Sequence, residues 1–494
     1  MHVLTAGTAI DLGPARHGTR VRPRLARFAS GELGPRELAI LFPLASLAAV
    51  AAATATQNAM SGERLLGLRM VGNTEQEVRL SLSASRHHLH VLGPTGTGKS
   101  TLLLNLVAQD IAAGRGCAVL DPKGDLIRDL LERIPRSRLS DVVYIGPDEG
   151  TRAVGINPLA LGAGEDPYLA AENALSIFKR IYEENWGPRT DDILKACLLT
   201  LVAVPGTTIA HIPALLTNTA LRRRLTAHVE DAVGVGSFWR WYEGLSEARR
   251  QEASAPLQNK LRDFLVRPRL RHLLCQQRSS VDLRTLINGG GVLLADLGIG
   301  RWGESASALA GSFLVARLWH GALSRQSQRE EERRDFLLYV DEFQSFLGIG
   351  GPFADALAQA RALRLSLTIA NQHLGQLPRE IHDAVSANAR NRIVFRCPPS
   401  DAAAVAQELA PLQADALVAL PTFQSAARLS VGTGFTMRML PTPSRPSDAA
   451  EPRQILAASA ARFGRDVASI DREIRAVLAP SETSEEPTLQ RSSS

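Results

Sequence analysis

The 494-residue chain is expected to adopt an α/β fold, a mostly parallel sheet with helices on both faces and an inserted all-α domain. Three observations carry that expectation. Short apolar runs at residues 88–92, 117–120 and 142–145 alternate with helix-like stretches, which implies parallel strands covered on both faces. The run at 336–340 is continuously apolar, as a strand buried on both faces should be. Between these two groups, residues 161–285 read mainly as helices.

Composition narrows the class. Hydrophobic residues make up 45% of the chain and charged residues 21%, enough for two or three domains with real cores. Gly (39) and Pro (27) occur at ordinary levels, which excludes collagen-like, coiled-coil and wholly disordered chains. The four cysteines, Cys117, Cys197, Cys275 and Cys397, form no C-x-x-C pair, so a disulfide scaffold or a cysteine zinc site is not expected and a reducing compartment fits. The net charge of +6 permits a polyanionic partner without demanding one. Only five lysines occur (Lys99, Lys123, Lys179, Lys195, Lys260), which makes each of them informative.

The elements follow in chain order. Residues 1–35 are rich in Arg, Pro and Gly and are expected to be poorly ordered. Residues 38–56 carry no charge over 19 positions, about the minimum for a membrane span, but eight are Ala and Pro43 lies near the start. A basic N-terminal flank would place everything downstream outside the cytoplasm. A buried or partner-facing helix is the favoured reading, in a cytoplasmic protein whose membrane association stays open.

Residues 88–104 read as a strand, a glycine loop and an apolar helix, and Gly93-x-x-x-x-Gly98-Lys99-Ser100 fits the P-loop pattern in full. Gly93, Gly96 and Gly98 let successive N–H groups face one phosphate at a helix N-terminus. Lys99 supplies a point charge to the β- and γ-phosphates and Ser100 a hydroxyl to Mg²⁺. The expected ATP-binding set is Gly93, Thr95, Gly96, Thr97, Gly98, Lys99, Ser100 and Thr101. The next strand ends in Asp121-Pro-Lys123-Gly-Asp125, which either borders the nucleotide or a subunit contact or is a charged turn.

Farther on, the 336–340 strand ends in Asp341-Glu342. Beside a P-loop such a pair divides the labour: Asp341 holds Mg²⁺ through its water shell, and Glu342 orients and deprotonates the attacking water. A further strand at 365–370 is tipped by Asn371-Gln372, where Gln372 would sense the γ-phosphate or simply cap the strand. Arg361, on an apolar-periodic helix at 353–363, is either an arginine finger for a neighbour's nucleotide or part of a solvated face.

The remaining readings concern supporting elements. Helices are expected at 170–182, 192–204, 256–266, 305–323 and 457–478, strands at 291–297 and 391–396, and a closing strand pair over 427–440. Basic clusters at Arg222–Arg224 and at Lys260, Arg262, Arg267, Arg269 and Arg271 either meet phosphates or form a wet face. Residues 480–494 are expected to be disordered.

The stretches HVLGPTGTGKSTLL (90–103), VLDPKGDL (119–126), LYVDEFQSF (338–346) and LTIANQ (367–372) together resemble the HerA/FtsK superfamily of P-loop ATPases, in particular type IV secretion coupling proteins of the VirD/TraD/TraG kind and HerA-like helicases. The resemblance spans roughly residues 60–440. It implies a RecA-like core, a hexameric ring with nucleotide between subunits, ATP-driven DNA movement, and relaxase or secretion-channel partners. By position, Lys99 and Ser100 match Walker A, Asp341 and Glu342 Walker B, Gln372 the superfamily glutamine and Arg361 the trans-acting arginine. The implied division is 1–60 N-terminal segment, 61–160 and 286–445 the two parts of the ATPase core, 161–285 the helical insertion and 446–494 a C-terminal helix and tail. The paired membrane hairpin of coupling proteins has no full counterpart here. A protein-directed secretion ATPase and a nucleotide-gated recruitment adaptor are the alternatives to a DNA motor.

Overall fold

The computed structural model describes residues 2–5, 8–11, 62–147, 150–162, 165–349, 356–430 and 432–478. The chain divides into two compact units, Met1–Glu63 and Arg64–Ser494. In the first, β1 (His2–Thr5) and β2 (Thr8–Asp11) pair antiparallel, so part of the segment expected to lack order forms a strand ladder. The apolar stretch at 38–56 and the tail at 480–494 lie outside the described residues. Among the described residues no helix is long and apolar enough to cross a membrane.

The remaining strands are β3 (Glu63–Val71), β4 (Thr74–Ser81), β5 (Leu89–Leu92), β6 (Gly116–Asp121), β7 (Val142–Ile145), β8 (Arg152–Val154), β9 (Val292–Asp296), β10 (Phe336–Val340), β11 (Leu365–Asn371), β12 (Asn391–Val394), β13 (Gln424–Arg428), β14 (Phe435–Met439) and β15 (Gly464–Asp466). Eleven of them form one sheet in the order β4-β3-β14-β13-β12-β5-β11-β10-β6-β9-β7. From β12 to β7 every pairing is parallel, whereas β12–β13, β13–β14 and β14–β3 are antiparallel. The closing pair expected at 427–440 is β13 and β14, with Gly432 and Gly434 in the loop between them.

Successive side chains of a strand point to opposite faces, so a continuous apolar run must meet a core on each side. Leu337 and Tyr339 of β10 join one apolar cluster with the helix Lys99–Ala112. Leu338 and Val340 join the other, which contains residues of Pro167–Ile181, Pro188–Val202 and Glu304–Leu323. The helices between β8 and β9 thus share a core with one face of the sheet. All four cysteines are free and buried.

Three expectations are corrected by tertiary contacts. The helix expected at 256–266 begins nine residues earlier: it spans Glu247–Leu265, capped by the Ser246 side chain, and Pro256 sits inside on an exposed side. The single helix expected at 457–478 is two, Pro452–Phe463 and Val467–Leu478, because Gly464–Asp466 between them pairs with β8. The helix carrying Arg361 ends at Gln359, and residues 353–355 lie outside the described residues. Arg361 stands in the turn that follows, where Arg364, at φ +52°, redirects the chain into β11.

Candidate nucleotide site

Register brings the motifs to one edge of the sheet. Leu92 pairs with Asn371, Ile369 with Val340, and Val340 with Leu120. The next residues, Gly93, Gln372, Asp341 and Asp121, therefore emerge together at the carboxyl ends of adjacent parallel strands, about 4.8 Å apart. Because β11 lies between β5 and β10, Gln372 leaves the sheet between the glycine loop and the acidic pair.

The loop is seated on aromatic carbon. A Cβ at Gly93 would lie 2.6 Å from Phe395 Cβ, and one at Gly98 would lie 2.9 Å from Phe395 Cε1, while Phe395 is fully buried. The loop is tied by a Phe423 N–H donated to the Thr97 carbonyl at 3.0 Å and by the Thr97 hydroxyl donated to the Pro94 carbonyl at 2.8 Å. The helix Lys99–Ala112 starts with no side-chain cap, so its first amides and its dipole face the loop's concavity. Lys99 is 5% exposed, and its ammonium donates to the carbonyls of Gly93 and Pro94. Burial lowers its pKa, against the opposing pull of Glu342 and Asp341. Thr95, Gly96 and Ser100 are exposed and Thr101 is half-buried.

Asp341 is buried, and its Oδ1 accepts the Glu342 N–H at 3.0 Å. Burial, then the like charges of Asp121 and Glu342, push its carboxyl up to about 6. A carboxylate under that strain is a ready ligand for a cation. Glu342 sits at φ +44°, a conformation costly for a side-chain-bearing residue and frequent at functional sites. Its Oε1 accepts from Lys123 Nζ at 2.6 Å and Gln372 Nε2 at 3.0 Å, and its Oε2 accepts from Gln344 Nε2 at 2.9 Å. Burial acts to raise the Glu342 pKa, but these hydrogen bonds and the Lys123 charge hold it below the usual value.

The Asp121–Asp125 motif divides into three roles. Asp121 caps the helix Asp125–Leu131, accepting from Leu126 N at 2.9 Å and Ile127 N at 3.3 Å. Lys123 turns into the site. Asp125 stays exposed and pairs with Arg128 at 3.3 Å. Lys123 was marked in sequence by the scarcity of lysine and by its place at the carboxyl end of a strand, and Gln344 lay in the stretch after the acidic pair with no role assigned to it. Neither signal reveals the contact with Glu342, which for Lys123 lies 219 positions away.

Arg361 is exposed and precedes β11, so the seven-residue strand separates it from Gln372 by about 20 Å. It lines a cavity of about 760 Å³ with Arg86 and His87 at the amino ends of the strands. It therefore faces away from its own glycine loop. Of the basic clusters, Arg222 is buried against Glu243 at 2.6 Å and the carbonyls of Leu215 and Leu216. Arg267, Arg269 and Arg271 donate to the carbonyls of Trp302, Arg301 and Leu265. These four arginines brace the fold. Arg223, Arg224 and Arg262 are exposed.

Residues 67–202 match the family model described as helicase HerA, central domain. No curated protein matches the chain in sequence. Among solved structures, the conjugative coupling protein TrwB is 18% identical with a TM-score of 0.57, over 80% of this chain and 93% of that one. TrwB in complex with ADP and Mg²⁺ gives 18% and 0.54, over 79% and 97%. VirB4 of Thermoanaerobacter pseudethanolicus gives 15% and 0.52, over 77% and 96%. These likenesses establish the fold. The residues of this chain also fit a magnesium nucleotide: a loop with glycine at 93, 96 and 98, an uncapped helix start, one buried ammonium and a buried carboxyl at the strand tip.

Proposed function

We propose that this chain, a P-loop ATPase of the HerA/FtsK kind that uses ATP and Mg²⁺, is a motor that moves DNA by hydrolysing ATP in a homo-oligomeric ring. One observation supports hydrolysis above all: the Glu342 carboxylate is held at the strand tip by Gln372, which stands between it and the glycine loop. A protein that only bound nucleotide would not need a second carboxylate there.

The amides of residues 95–98 and the ammonium of Lys99 grip the triphosphate. Ser100 and Asp341 would hold Mg²⁺, which supplies Lewis-acid neutralisation of the developing charge when bound. Glu342 takes the proton of the attacking water, and Gln372, already bonded to Glu342, couples that base to the γ-phosphate. Arg361 cannot reach its own cradle, so its transition-state role is assigned to the site of a neighbouring subunit. A ring that places the amino ends of one subunit's strands against the carboxyl ends of the next satisfies this, and six subunits are the expected count. Residues 161–285 are proposed as a recognition insertion, with a relaxase or secretion-channel protein as the second partner.

DNA, single- or double-stranded, would be held by its backbone without sequence preference, so the coupling should weaken with salt. The test is ATP turnover with and without each DNA form across a protein-concentration series, with the Glu342→Gln variant as the blank. Stimulation that rises with protein concentration and falls with salt is expected. A rate indifferent to both DNA forms would sink the DNA reading and leave a protein-directed secretion ATPase.

A further inference from the structure

The Lys123–Glu342 contact has no assigned part in hydrolysis, yet it occupies the group that hydrolysis needs. At Glu342 Oε1 two donors, Lys123 Nζ at 2.6 Å and Gln372 Nε2 at 3.0 Å, fill both lone-pair directions, while Gln344 takes one direction at Oε2. A carboxylate in that state has little capacity left to align and deprotonate a water. Of the three donors only Lys123 carries charge, so its bond is the strongest and the shortest.

The backbone beneath Lys123 is held by hydrogen bonds, whereas its partly exposed side chain is held through the contact with Glu342. Its N–H donates to Asp121 Oδ1 at 2.8 Å, and the neighbouring carbonyls of Asp121 and Pro122 accept from Leu297 and Ile299, each at 2.9 Å. The Lys123 side chain is 42% exposed, against 4% for Glu342. The flexible four-carbon stem can therefore leave without disturbing the strand tips. Other charges close to the pair are Lys99 on the loop helix and Asp341 and Asp121 on the adjacent tips.

We propose that Lys123 is a restraining latch on Glu342: it holds the base in an occupied resting arrangement, and its withdrawal frees Oε1 for the attacking water. The inference rests on the reading of Glu342 as the base. Lys123 is thus a positioning residue that limits turnover, not a phosphate ligand.

The experiment is steady-state ATP hydrolysis by the full chain without DNA, for wild type, Lys123→Met, Lys123→Gln, Lys123→Arg, Glu342→Gln and the Lys123→Met/Glu342→Gln double variant. Binding of a fluorescent ADP and a thermal melt are recorded for each. Losing one partly exposed ion pair should raise kcat about fivefold in Lys123→Met and Lys123→Gln, with KM and ADP affinity within about twofold. Lys123→Arg keeps the charge and should return kcat toward wild type. A kcat that is unchanged or lower in either neutral variant, with the melt and ADP binding intact, overturns the latch. So does a double variant as fast as Lys123→Met, since the gain would then bypass Glu342. Wild-type turnover in Glu342→Gln alone would instead overturn the base assignment.

Discussion

Gly98→Ala tests the cradle most directly, because the structure separates its effect from that of Gly96→Ala two residues away. Gly98 sits at φ +121°, and a Cβ there would stand 2.9 Å from Phe395 Cε1 and 3.2 Å from Phe423 Cδ1. Phe395 is buried under the loop and cannot yield. Backbone strain of about 1–3 kcal/mol adds to an overpacking cost of similar size, roughly 3 kcal/mol together. Gly96 is at φ +80° with nothing within 4 Å of a Cβ, so only the backbone cost remains, about 1 kcal/mol. The free loop can open to escape either cost, and a bound triphosphate must re-form it, so the strain should appear in affinity. At 1.4 kcal/mol per tenfold, Gly98→Ala should weaken ATP binding about 150-fold and Gly96→Ala about fivefold. Titration with a fluorescent ATP analogue in Mg²⁺ buffer, with melts to confirm folding, gives both numbers. Equal losses at the two positions, or a larger loss at Gly96, would refute the seating of the loop on Phe395.

Three further outcomes are expected. Arg361→Ala should bind ATP normally but lose at least tenfold in turnover, and mixing it with Lys99→Ala should restore activity, because each variant supplies what the other lacks; mixed assemblies that stay inactive would leave Arg361 on a solvated surface. His88 donates through Nε2 to the Leu357 carbonyl and accepts the Leu367 N–H at Nδ1, so it is held neutral, and burial depresses its pKa to about 4. The unfolded chain then binds more protons between about pH 6.5 and pH 4. Stability is full above that window and is lost as pH falls through it. His88→Asn, tolerant of the φ of +58° there, should flatten the fall in melting temperature between pH 7 and pH 5. Tyr339→Phe removes the hydroxyl that bridges Arg64 and Asp110 in the core; it should cost about 2 kcal/mol, read from the urea midpoint.

The sequence alone settled what is local and chemically unambiguous. A glycine loop between an apolar strand and an apolar helix, five residues of unbroken apolar character before Asp341-Glu342, and an amide at the tip of the next strand each report a backbone conformation or a reactive group that needs no partner to be recognised. The tertiary structure decided what depends on juxtaposition. Lys123 and Glu342 are 219 positions apart, and only the parallel pairing of β6 with β10 brings one to the other. Arg222 looked as available to phosphate as Arg223 until Glu243 and two carbonyls claimed it. The break at Gly464 follows from β8 pairing there, a demand that the helical periodicity on either side does not record. Short-range patterns encode dihedral preference and side-chain chemistry, whereas the partner of a buried charge and the end of a helix are set by whichever distant segment packs against them.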